Sequence, residues 1–102
     1  MSNSGPAGYH RDMMATMQKM DQGMKAHAMS DHPDRDFAAM MIPHHQGAID
    51  MAKVQLQYGK DEKLRAMATA IIAAQEKEIQ QLKESLAKMG VETATTHSGH
   101  SM

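Results

Sequence analysis

The sequence predicts an all-α domain of three helices, one short of a four-helix bundle, and three observations carry that prediction. Apolar residues recur at spacings of three and four through most of the chain, the pattern of amphipathic helices. Proline, glycine and aspartate cluster at 30–34 and again at 59–61, dividing the periodic sequence into three stretches. At 102 residues the chain can build one modest core and not two. Dimerisation is the expected way of completing the bundle.

Residues 1–8 are small and contain Gly, Pro and Ser, and are expected to form a disordered lead. Helix one is expected over 9–29, a stretch without proline and with glycine only at 23. His10, Met13, Met17, Met20, Met24 and His27 fall within roughly 100° of arc, so its large apolar side chains are methionines on one face. Ser30-Asp31-His32-Pro33-Asp34 reads as a turn with an aspartate placed to cap the next helix. Helix two is expected over 34–58. Met40, His44 and Met51 share an arc of roughly 40°, with Phe37, Met41 and Ala48 beside them, whereas Gln46, Asp50 and Lys53 point away. His45 sits at the margin of that face. Neighbouring side chains on a helix diverge by about 100°, so His44 and His45 have separate roles or separate sites. Pro43 brings no N–H and leaves the Ala39 carbonyl without its usual donor, which marks a helix start or a kink beside the histidines.

Gly59-Lys60-Asp61 ends helix two and begins helix three, expected over 61–88. Leu64, Ala68, Ile71, Gln75, Ile79, Leu82, Leu86 and Met89 repeat as a bundle seam, and Gly90 closes it. Gln75 is the polar member of that seam, with Glu78 flanking it. It needs a partner, which is water, a backbone carbonyl or a histidine of helix two. The domain is thus expected to span 9–89. Residues 90–102 form a polar tail in which His97, His100 and Met102 are candidate loose ligands, with a flexible tail the simpler reading.

Methionine is the compositional outlier, 13 residues against 11 for Leu, Ile and Val together. Nine of the 13 lie between Met13 and Met51, while all four leucines follow that region. Methionine is also an adaptable core filler, so a single stripe would read as packing. Here two stripes each carry histidine in helical register, and a histidine on an apolar face needs a partner of its own. Thioether sulfur is a soft, neutral ligand that suits Cu(I) and, by the same logic, Ag(I). Cu(II) would instead take histidines, with His27, His32, His44 and His45 as candidates. The absence of cysteine fits an oxidising compartment.

Other functions find little in the chain. A formal charge of −1 gives no reason to expect nucleic acid or an anionic membrane surface as partner. No apolar run approaches the roughly 18 residues a membrane span requires, and no basic-then-apolar secretory leader opens the sequence. The chain lacks a Glu-x-x-His pair, a His-Glu-x-x-His motif, a cysteine nucleophile and a Gly-rich phosphate loop, so no enzyme is expected.

Asp36-Phe37, the run from Met41 through Ala52 (Met-Ile-Pro-His-His-Gln-Gly-Ala-Ile-Asp-Met-Ala), Ile72-Ala73-Ala74-Gln75 and Glu78-Ile79 together resemble the signature of the family called domain of unknown function 305. The resemblance covers about 9–89. It implies a ferritin-like helical bundle, export to the periplasm or beyond with a leader removed, and copper binding linked to copper resistance. It further implies metal-facing roles for Met41, His44, His45 and Met51, and supporting roles for Asp36, Gln75 and Glu78. Leu82 stands where family members often carry a methionine, and the methionines of helix one are expected to supply that sulfur.

The expected protein therefore sequesters or carries Cu(I), and Ag(I) with it, through Met13, Met17, Met20, Met24, His27, Met40, Met41, His44, His45 and Met51. The copper is expected between helices one and two, with helix three holding them in register. The competing expectation is a methionine-rich helical module that binds partner proteins without metal.

Overall fold

The structure, a computed structural model, describes residues 6–90. It consists of α1 (Pro6–Lys25), α2 (Pro33–Tyr58) and α3 (Glu62–Lys88), with no strand among the described residues. Residues 1–5 of the expected lead, and His97, His100 and Met102 of the tail, lie outside the described residues. Among the described residues no helix is long and apolar enough to cross a membrane.

α1 begins three residues before the expected position. Pro6 stands in its first turn, where a missing N–H removes a donor that has no helical partner anyway. It also ends four residues early, and the cause lies in α2. The Asp36 carboxylate takes the Ser30 backbone N–H at 3.1 Å and the Ser30 hydroxyl at 2.8 Å, which pulls the chain out of helical register after Lys25.

α2 begins at Pro33 and runs without interruption through Pro43. Its N-cap position is held by His32, which makes no side-chain cap bond, so no aspartate caps this helix. Asp34 and Asp36 lie inside the first turn instead, where negative charge is favoured by the unpaired N–H groups. At the other end Gly59 is extended rather than left-handed (φ −78, ψ 152), so it is not chosen for backbone freedom. A Cβ there would collide with the Gln55 side chain and carbonyl. Arg65 donates to the carbonyls of Leu56 and Gly59, satisfying acceptors the helix end leaves open.

α3 follows its expected limits closely. The Asp61 carboxylate accepts the Leu64 N–H at 2.9 Å as an N-cap, and Gly90 takes the left-handed conformation (φ 79) just past the other end.

α2 lies between the other two helices, which both run antiparallel to it and do not touch each other. Small residues let α1 approach closely: an ideal Cβ on Gly23 would sit 2.7 Å from Pro43 Cβ, and one on Gly47 would sit 2.5 Å from Met20 Sδ. The α2–α3 contact is the larger. The buried apolar residues are Ala38, Ile49, Ala52, Val54, Ala68, Ile79 and Leu86, with Ile49 the most enclosed. No methionine is among them, and α1 contributes no buried side chain beyond the position of Gly8.

Two substitutions test this packing. Ile49→Ala should destabilise the protein by about 2–5 kcal/mol, the usual range for emptying a core site, read from the urea unfolding midpoint. Gly23→Ala should lower stability by about 1–3 kcal/mol, because the new methyl group meets the rigid Pro43 ring. In an exposed helix the same change would raise stability by about 1 kcal/mol, so a gain on urea unfolding would show that α1 and α2 are not this close.

Candidate metal-binding faces

The α1–α2 seam is closed by packing and by polar pairs. Met20 lies over Gly47, and Gly23 lies against Pro43. Lys19 reaches Asp50 at 3.7 Å, while Gln46 donates to the same carboxylate at 3.0 Å. The Tyr58 hydroxyl donates to Asp12, a bond that holds the phenol above its ordinary pKa. At the loop end, buried Asp36 accepts from Ser30 and pairs with His27 Nε2 at 3.1 Å. The His27 bond is the main reason the Asp36 carboxyl is held below the usual range; burial works against it and the Ser30 bonds with it. At Met20 and Gly23 the two backbones pack too closely to leave a gap, while Met13 and His27 lie at other points of the same seam.

Two openings flank α3's contact with α2. Toward the start of α2, Phe37, Met41, His45, Glu78, Gln81, Leu82 and Ser85 line a cleft of about 300 Å³. His45 is buried, and its Nε2 pairs with Glu78 Oε1 at 2.5 Å while Nδ1 is buried without a hydrogen-bond partner. The residue from helix three that reaches a histidine is therefore Glu78, not Gln75. His44 turns outward and is exposed; its ring centroid is 6.4 Å from that of His45 with planes 60° apart. The two adjacent histidines thus occupy different environments, one in the cleft and one in solvent. Leu82 lies in the same cleft as Met41 and His45.

Toward the end of α2 a second groove of about 350 Å³ opens. Ala48, Met51, Ala52 and Gln55 form its floor, Met13 of α1 borders one side, and Leu64, Met67, Ala68 and Ile71 of α3 border the other. Met13 and Met51, assigned from the sequence to separate helical faces, meet here. Met67 joins them and was missed. Its signal was present, since it lies three residues after Leu64 and four before Ile71, on the same flank of α3.

The remaining expected ligands are dispersed. Met40 borders a hollow of about 430 Å³ with Met29, Ser30, Asp31, Pro33, Asp36 and Phe37. Met24 is half-buried and Met17 is 46% exposed. His32 lies in another hollow beside Met89. Among the described residues no three His, Asp or Glu side chains are grouped to hold an ion. The two histidines paired with carboxylates, His27 and His45, share one feature: each pairs through Nε2.

Comparison with known proteins adds a family. The model described as "Domain of unknown function (DUF305)" matches residues 1–86. A segment of 53 residues is 38% identical to "Uncharacterized protein L153" of Acanthamoeba polyphaga mimivirus, covering 52% of this chain and 35% of that protein. The chain thus spans about a third of that relative's length.

The Asp36 cluster predicts an acid transition. Its folded pKa is below the unfolded value, so its contribution is complete above the ordinary aspartate pKa of about 4 and fades as pH falls through the lower folded value. Asp36→Asn should flatten the dependence of thermal stability on pH below about 4; an unchanged acid limb in a pH series of thermal melts would remove Asp36 from that role.

Proposed function

The chain belongs to the DUF305 family, and on that premise we propose that it is a copper-binding protein that sequesters or carries Cu(I), and Ag(I) with it. The observation that carries this reading is the placement of methionine. Eleven methionines fall within the described residues, and not one is buried. Burying such a side chain stabilises a fold by about 1.5–3 kcal/mol, so a protein using methionine as filler would place it inside. Here alanine, isoleucine, valine and leucine occupy the core, and the thioethers are left within reach of solvent.

Chemistry supports monovalent copper as the cargo. Thioethers carry no charge and no proton at any ordinary pH, and they favour Cu(I) over harder ions. His44, exposed beside this sulfur-rich surface, is the imidazole best placed to take part directly. His27 and His45, each oriented by a carboxylate on Nε2, have the arrangement common among metal-ligating histidines and are the positions for Cu(II). The reading is of a binding protein and not an enzyme, acting in an exported setting in copper resistance or homeostasis.

The second reading, a methionine-rich module that docks partner proteins, is favoured by one observation. Leu64, Met67 and Ile71 are 49%, 50% and 39% exposed along one groove. The two readings separate on substitution. Leucine preserves apolar bulk, so changing Met13, Met17, Met24 and Met51 to Leu should alter the urea unfolding free energy by less than about 1.5 kcal/mol per site.

In an anaerobic titration against a chromogenic Cu(I) chelator, the unmodified protein should withdraw copper and the leucine variant should withdraw much less. Inability of the unmodified protein to compete even at micromolar affinity would refute the copper reading. Equal uptake by both proteins would remove these four methionines from it.

A further inference from the structure

We propose that Met13, Met51 and Met67 form a single all-thioether site for one soft monovalent cation, Cu(I) or Ag(I), with Met67 of α3 as its third ligand. The proposal rests on the copper reading and assigns it a place and a ligand set. Each of the three helices supplies one methionine to the groove, and Met67 is the only methionine within α3. Three neutral sulfurs make a trigonal set of the kind a d¹⁰ ion accepts.

The rest of the lining excludes other cargo. Ala48, Ala52, Ala68, Leu64 and Ile71 bring no charge and no side-chain oxygen, and Gln55 is the one polar side chain. A hydrated divalent ion entering there would lose water oxygens without replacement. No carboxylate balances a second charge, so the site suits a monovalent ion.

The groove also permits the sulfurs to converge. Alanines at 48, 52 and 68 leave room in its floor and wall, and methionine has three rotatable bonds with which to adjust. Met51 and Met67 are 39% and 50% exposed, so an ion can reach them without unfolding. The Met13 sulfur lies 3.8 Å from the Thr16 hydroxyl, but that hydroxyl donates to the Met13 carbonyl at 2.7 Å, so no strong donor occupies the sulfur.

The test uses the whole chain with methyl-labelled methionine, titrated with Ag(I) in chloride-free buffer at pH 7 and at pH 5. At pH 5 histidines are largely protonated and withdrawn as ligands, so the all-thioether site should still bind one ion per chain. The Met13, Met51 and Met67 methyl resonances should then shift together with the first equivalent. Met67→Leu should weaken that equivalent at least tenfold while leaving the circular dichroism spectrum unchanged. Met14→Leu, at an exposed position outside the groove, should leave it intact.

Binding at pH 7 that vanishes at pH 5, or a first equivalent unaffected by Met67→Leu, overturns this site while leaving copper binding elsewhere standing. Absence of Ag(I) binding at both pH values, together with failure in the Cu(I) competition, overturns the copper reading itself.

Discussion

α2 touches both of its neighbours and they do not touch each other. A helix in that position must present two different contact surfaces, and the surfaces here differ in kind. Toward α3 it offers Ala38, Ile49 and Ala52, an apolar seam that closes against Ala68, Ile79 and Leu86. Toward α1 it offers Pro43 and Gly47, which admit the other backbone closely, flanked by Asp36, Asp50 and Tyr58, which fix it through polar pairs. A fourth helix, or a direct α1–α3 contact, would cover the α2 side chains between these surfaces. The described residues contain neither, so Ala48, Met51 and Gln55 form the floor of an open groove, and the accessibility of Met51 follows from the connectivity of the fold.

That arrangement also distributes the histidines and methionines along α2. Imidazoles gather where carboxylates can orient them: His27 with Asp36 at the α1–α2 loop, and His45 with Glu78 across the α2–α3 cleft. The groove, in contrast, holds sulfur and hydrocarbon with a single amide. Sulfur is not confined to that groove, since Met41 shares the cleft of His45 and Met40 borders the hollow beside Asp36. Leu82 belongs to the imidazole side, beside Met41 and His45, so the sulfur absent from that position is not restored there by α1. The methionine of α1 that reaches shared space, Met13, does so at the opposite end of α2.

Much of the fold was legible because local signals and tertiary packing agree. The aspartate at 61, the repeat from Leu64 to Leu86 and the glycine at 90 each specify the same helix, and α3 has those limits. The end of α1 was not legible, since nothing before residue 30 reveals that a carboxylate six residues further on will capture the Ser30 N–H. Met40, His44 and Met51 share one arc by spacing, but periodicity says which residues share a face and not what that face meets: Met40 borders one opening, Met51 another, and His44 is exposed. That is why the contact points at Gly23 and Gly47 appear only once α1 and α2 are placed together. It is also why Met67, an ordinary seam-flank residue by spacing, gained significance only when three helices were placed together.

The exposure of the methionines has a chemical consequence beyond affinity. Thioethers open to solvent are also open to peroxide and hypohalous acids, which convert them to sulfoxides, polar groups that no longer offer a soft sulfur lone pair. Met29, 71% exposed, and Met14, 53% exposed, lie outside the groove and meet such oxidants first. Met51 is less exposed than either, and Met13 is only half-buried. Met67, within the groove, is 50% exposed, so sulfoxide formation reaches the groove as well as its surroundings, and recovery of these side chains depends on how readily sulfoxides are reduced back.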